Sequence, residues 1–236
     1  MQHVHPRNDA PGHMRLQPGA DHLDLGKFRH SSRLLFAIPL TRRGGGPVSI
    51  ALEPATGWSA LFQAWQTLDA PDGWKAEIAD EALRLTPPPA DAHHNIADLV
   101  SRMLIMGLGE ERGIYQRRGL RIPELASLYV PDLLVMPRDT PREQHGTVLA
   151  EHTLLVVEIT SPGNADYDRR NKLAAYAYGR VPVYLLIDDH APEGARCIVY
   201  AEPAKGEYRK TTITPFGEKV EIPEPIGLEL DTSRFG

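Results

Sequence analysis

Between residues 58 and 68 the apolar side chains Leu61, Trp65 and Leu68 recur at helical spacing, and Asp69-Ala70-Pro71-Asp72-Gly73 stops the helix. Two short runs, 74–78 and 82–85, are joined at Ala79-Asp80-Glu81 and closed by Pro87-Pro88-Pro89, which predicts a hairpin. Asp91 is placed to cap a long helix reaching about residue 108, with Ile96, Val100, Met103 and Leu104 as the stripe that faces a sheet. A strand near 113–116 and a loop carrying Arg117, Arg118 and Arg121 lead into the two most apolar strands, 130–136 and 154–159. A helix over about 166–178 and a strand over 183–188 complete a strand–helix–strand unit. Residues 197–201 and 208–213 pair around Ala204-Lys205-Gly206, and the proline-punctuated tail is expected to pack as an edge. No internal repeat interrupts this order.

With 236 residues and 42% hydrophobic content, the chain is long enough for one sizeable α/β domain, assigned to residues 51–236. Residues 1–50 read differently: His3, His5, His13, His22 and His30 are scattered among Pro, Gly and Asp, and Gly44-Gly45-Gly46-Pro47 closes the segment. Their irregular spacing predicts a poorly ordered N-terminal extension rather than a metal site. The early apolar run over 34–40 contains Pro39 and is too short to span a bilayer, so no membrane partner is expected. The single cysteine, Cys197, excludes an intramolecular disulfide and a thiolate zinc site, and fits a reducing cytoplasm. A net charge of −5 gives no general attraction to nucleic acid. Because charges are screened over roughly 8 to 10 Å, a local basic patch matters more than that total.

The chemistry is concentrated around Glu158, a carboxylate planted inside the apolar run Leu154-Leu155-Val156-Val157-Glu158-Ile159. Burying it unpaired would cost several kcal/mol, so a metal ion or a lysine is the expected partner. Strand alternation puts Glu158 on one face with Val156, and puts Asp132 on one face with Leu134 and Met136. Pro131 suits a strand beginning, which places Asp132 near a sheet end where a pocket can open. Two such carboxylates are hard oxygen donors suited to Mg²⁺ or Mn²⁺. Asp168, Lys172 and Tyr176 follow at i, i+4 and i+8, along one helical face. A solvated ion pair worth about 0.3 to 0.5 kcal/mol would explain that spacing by itself. The short loop from Thr160 to Ala165, however, lets Lys172 fold back over the acidic site.

These residues resemble the Uma2 family of restriction-endonuclease-like proteins, within the PD-(D/E)XK nuclease superfamily. The resemblance rests on Pro131-Asp132, on Val157-Glu158-Ile159-Thr160-Ser161-Pro162, on Asp168, Lys172 and Tyr176, and on the segment from Val181 to Asp188. Upstream, Glu77-Ile78-Ala79-Asp80-Glu81 and His93-His94-Asn95-Ile96 are similar to the family's hairpin and following helix. The superfamily's lysine position is occupied by Thr160, and Lys172 supplies the lysine from the helix instead.

The resemblance implies a mixed α/β fold, a central mixed sheet flanked by helices with a β-rich C-terminal part. It also implies metal-dependent hydrolysis of DNA. Asp132 and Glu158, with the backbone carbonyl of Ile159, would hold Mg²⁺ or Mn²⁺, and Lys172 would position water or stabilise phosphorane-like charge. Glu77, Asp168 and Tyr176 are supporting candidates, and Arg117, Arg118 and Arg121 could contact a phosphate backbone or stay solvated. His93 and His94 are assigned to the surface or packing of their helix. A non-catalytic nucleic-acid-binding protein on the same scaffold is the alternative, and a carboxylate-pair glycosidase a more distant one. Cutting both strands of DNA would favour a two-fold homodimer.

Overall fold

The computed structural model describes residues 36–39, 50–53, 57–141 and 143–236. Strands β1 (Phe36–Pro39) and β2 (Ile50–Glu53) pair with each other, and β2 pairs in turn with a later strand. The sheet therefore reaches into the stretch expected to be an extension, most of which lies outside the described residues. Helix α1 (Trp58–Thr67) packs its apolar side against β3 (Lys75–Ala79) and β4 (Ala82–Thr86), the expected hairpin, with Leu61, Ile78, Leu83 and Leu85 buried together. Asp91 is the first residue of helix α2 (Asp91–Gly107), not its cap, and makes no capping bond. Its charge suits the positive end of the helix dipole.

Two short strands arise where a loop was expected, β6 (Leu120–Ile122) and β7 (Ser127–Tyr129), after β5 (Arg112–Gln116). The strand predicted over 130–136 starts later, at Leu133. β7 ends at Tyr129 and β8 begins at Leu133 (Leu133–Pro137), leaving Val130-Pro131-Asp132 as a crossing segment between two sheets. Strands β9 (Val148–Leu149) and β10 (Leu155–Ile159) follow. The next helix is interrupted: α3 (Ala165–Tyr167) runs into a π-helical turn (Asp168–Lys172) before α4 (Leu173–Tyr178). Strand β11 (Val183–Asp188) and the long hairpin β12 (Arg196–Ala204) and β13 (Glu207–Pro215) lead to β14 (Lys219–Ile222) and β15 (Leu228–Asp231).

One sheet has the order β1-β2-β4-β3-β7-β6-β9, and the other β13-β12-β11-β10-β8-β5. In the second, β10 runs parallel to β11 and antiparallel to β8, with Val157 opposite both Leu185 and Leu133. Alternation then sorts the side chains onto two faces. Leu133, Val135, Val157 and Leu185 pack under α2, whereas Leu134, Val156 and Leu186 face Tyr176 of α4 and Leu120 and Val148 of the first sheet. The tail does not extend either sheet as an edge. β14 and β15 form a separate pair, and Val220, Ile222, Ile226, Leu230 and Phe235 bury themselves in the α2-side core. Burial of those side chains outweighs the edge hydrogen bonds that pairing onto a sheet would supply. No helix of the described residues is long and apolar enough to cross a membrane.

Candidate active site

Glu158 is the fourth residue of β10 and points to the face covered by α4, where its carboxylate is 2% exposed. Lys172 donates to its Oε1 at 2.9 Å, and the Tyr176 hydroxyl donates to the same oxygen at 2.5 Å. Lys172 Nζ also lies 3.2 Å from Asp168 Oδ1 and 3.4 Å from Glu77 Oε1. The π-helical turn contains both Asp168 and Lys172. Its one wider turn brings them to the same ammonium–carboxylate cluster, in keeping with the tendency of such turns to sit at functional sites.

Asp132 stands just before β8, and each of its oxygens is engaged. Lys75 of β3 donates to Oδ1, while Oδ2 accepts from the Ile159 amide at 2.9 Å and lies 3.0 Å from His93 Nε2. Glu77, two residues along β3 from Lys75, accepts the Val130 amide at 2.9 Å and so fixes the crossing segment. One sheet thus supplies Lys75 and Glu77, the other Glu158, and the segment between them Asp132. All line one pocket of about 440 Å³, walled by Pro87, Pro88 and Pro89 on one side and by Ser161, Pro162 and Tyr167 on the other.

Burial and charge pull the acids apart. Burial pushes the Glu158 carboxyl up to about 8 against the pull of Lys172, and burial likewise raises Asp168 to about 6. Burial works on Asp132 too, but the Lys75 ammonium and the His93 hydrogen bond outweigh it and hold that carboxyl well below the usual carboxylate range. Desolvation disfavours the charged forms of both lysines, yet the surrounding carboxylates raise each above its ordinary value.

The donor chemistry suits a hard divalent ion. The Lys172 and Tyr176 bonds both fall on Oε1 of Glu158, leaving Oε2 outside them. Asp168 Oδ1 is buried with no hydrogen bond, only its 3.2 Å ion pair to Lys172. Among the described residues, however, no three acidic, histidine or cysteine side chains are gathered as a ready metal cluster. A Mg²⁺-like ion, which keeps several waters and needs only one or two carboxylates, fits that partial set.

Residues 60–233 match the family described as Uma2, putative restriction endonuclease. The chain belongs to the Uma2 family. None of the curated proteins compared with it matches its sequence. Among solved structures it is similar to a putative nuclease belonging to DUF820 from Anabaena variabilis, at 15% identity and a TM-score of 0.58, over 76% of this chain and 97% of that one. The fold is therefore mixed α/β and restriction-endonuclease-like.

In this Uma2 protein the expected residues Glu77, Asp132, Glu158, Ile159, Asp168 and Lys172 converge on one pocket, and Tyr176, buried outside its lining, holds Glu158 through its hydroxyl. The arginines do not. Arg117 donates to the Gly73 and Trp74 carbonyls at 3.0 and 2.8 Å, Arg118 lies over the Tyr115 ring, and Arg121 lies over Phe62 and pairs with Glu143. Of the two histidines assigned to the surface or packing of their helix, His93 packs inward with Nε2 3.0 Å from Asp132 Oδ2, whereas His94 is exposed. Only one of two adjacent helix positions can face inward, and the stripe of Ile96, Val100 and Leu104 marks His93, which precedes them at helical spacing, as that position. Lys75 was not anticipated. Its signal was the i, i+2 spacing to Glu77, which puts both on one face of β3.

Proposed function

We propose that this protein is an endonuclease that hydrolyses DNA phosphodiester bonds with Mg²⁺ or Mn²⁺. The observation that carries the reading is the pair of buried carboxylates, Asp132 and Glu158, held at the base of one pocket beside an ammonium group. The family and the fold of the nuclease-like neighbour support a nucleic-acid substrate. Asp132 and Glu158, with the Ile159 carbonyl and waters, would hold the ion. When bound, it would acidify a water and offset charge on the phosphate and the leaving oxygen. Lys172 and Tyr176 fix the orientation of Glu158 through Oε1, and His93 together with the Ile159 amide fixes Asp132. Pro87, Pro88 and Pro89 line the same pocket.

A second reading has a specific observation in its favour: each acid already has a lysine partner, as a purely structural ion-pair network would. One experiment separates the two. Supercoiled plasmid and a single-stranded oligonucleotide are incubated at low salt with Mg²⁺, Mn²⁺ or EDTA, using the purified chain, Glu158→Ala and Lys172→Ala. Metal-dependent cutting by the parent protein that both variants lose is the expected result. DNA binding without cutting in any metal would favour the binding protein. Cutting that persists in Glu158→Ala would remove this pocket from the reaction.

A further inference from the structure

The two lysines of the pocket are not equivalent. Lys172 Nζ is surrounded by three carboxylates, Glu158, Asp168 and Glu77, at 2.9, 3.2 and 3.4 Å, and its side chain is 6% exposed. An ammonium has three donors and no acceptor. Every direction in which Lys172 could offer one is flanked by an acid, and a phosphate drawn to it would meet three negative groups at close range. Lys75 is differently placed. Its one carboxylate partner among the described residues is Asp132, its side chain is 14% exposed, and it lines the open pocket. One donor serves Asp132, and two remain.

We infer that Lys75, and not Lys172, is the ammonium that contacts the phosphate of the substrate, while Lys172 is a buried counter-ion that holds Glu158 and Asp168 in place. This assignment rests on the nuclease reading above. It also gives a role to the hairpin of β3 and β4, which delivers Lys75 across the gap between the two sheets. His93 shares Asp132 with Lys75 through Oδ2, so Asp132 keeps a partner when Lys75 Nζ engages a phosphate.

The test compares the full chain with Lys75→Met, Lys75→Arg and Lys172→Met. Four measurements are made on each: plasmid and oligonucleotide cleavage in Mg²⁺, anisotropy of a fluorescein-labelled DNA in Ca²⁺, calorimetric Mn²⁺ binding, and thermal melting. Lys75→Met is expected to melt below the parent, because buried Asp132 keeps only His93 and the Ile159 amide as partners, to cleave roughly 10²- to 10³-fold more slowly, the effect of removing one donor to developing oxyanion charge, and to bind the labelled DNA more weakly. Its Mn²⁺ affinity is expected to stay level or rise, since a competing cation has left Asp132. Lys75→Arg should recover part of the rate, and Lys172→Met should lose thermal stability. Parent-like cleavage by Lys75→Met overturns the inference while leaving the nuclease reading intact. So does a fall in Mn²⁺ affinity in step with the rate, because Lys75 would then act only by holding Asp132. Absence of cleavage by the parent protein overturns both.

Discussion

Arg169 grips the carboxylate of Asp188 with two nitrogens, Nε at 2.8 Å and Nη2 at 2.7 Å. Asp188 is the last residue of β11 and is fully buried, and Arg169 lies in the π-helical turn between Asp168 and Lys172. The Thr160 hydroxyl donates to the same carboxylate at 3.2 Å, and the Thr160 amide donates to the Ile187 carbonyl at 2.9 Å. One acid outside the pocket thereby ties the ends of β10 and β11 to the turn that presents two pocket residues. Asp188→Asn keeps the shape but weakens charge-assisted bonds worth about 1.5 to 3 kcal/mol. Arg169→Ala strands a buried charge, a change of about 3 to 5 kcal/mol. Denaturant unfolding should place both variants below the parent protein, Arg169→Ala the lower, and equal stability of all three would refute the tie.

The same acid gives a pH dependence with a definite sign. Burial alone would raise the Asp188 carboxyl, but the hydrogen bonds from Arg169 and the Arg169 charge outweigh it and hold it below its ordinary 3.8. Its folded-state value is depressed, so its contribution is present above the unfolded value and is lost as the pH falls through the folded one. The stability gap between the parent and Asp188→Asn should therefore be constant from neutral pH down to about 5 and shrink below 3.8. A gap that widens on acidification would contradict the assignment. Unfolding curves at a series of acidic pH values measure it directly.

Tyr176 is fully buried with its hydroxyl 2.5 Å from Glu158 Oε1, and its ring stands edge-on to Tyr129 and Tyr184 at 5.6 and 5.1 Å. Tyr176→Phe keeps those ring contacts and removes one donor to a buried carboxyl. The expected loss is about 1.5 to 3 kcal/mol, which for a chain of this size lowers the melting temperature by about 2 to 4 °C per kcal/mol. Cleavage should fall too, since Glu158 loses one of the two groups that orient it. An unchanged melting temperature would mean that the hydroxyl contributes nothing to holding Glu158.

What the sequence reveals of this site follows from how local each relationship is. Glu158 stood out because an acid in an apolar strand demands a partner, and Asp168, Lys172 and Tyr176 stood out because helical spacing aligns them. Those partners lie within eighteen residues of Glu158 in the chain, and the structure joins them as ion pairs and hydrogen bonds. Lys75 is 57 residues from Asp132 and His93 is 39, and both arrive from elements whose own periodicity is satisfied without them. The i, i+2 spacing of Lys75 and Glu77 puts them on one face of β3, but it does not say that this face meets Asp132 once the two sheets come together. The π-helical turn was equally hidden, because an ordinary helix also aligns i, i+4 and i+8. The strands β6 and β7, three residues each, are too short for alternation to register beside three arginines.

The tail shows the same limit and gives a last expected outcome. The sequence suggests that it packs as an edge, but nothing local says which surface its apolar residues cover. In the fold, Val220 and Ile222 of β14 and Leu230 of β15 are buried against the core beneath α2, and Phe235 packs edge-on to Phe216 at 5.5 Å. Ile222→Ala removes buried methyl and methylene groups and leaves a cavity, a loss of about 2 to 5 kcal/mol. Ending the chain at Phe216 strips the whole cover and exposes an apolar face that includes Val199, Leu228 having gone with the tail. That truncated protein should bind a hydrophobic dye strongly and lose solubility, whereas Lys219→Ala, which removes only an exposed ion pair to Glu229 at 2.7 Å, should behave as the parent. A truncated chain that stays soluble, binds no dye and melts cooperatively at the parent temperature would show that the α2-side core is complete without its hairpin.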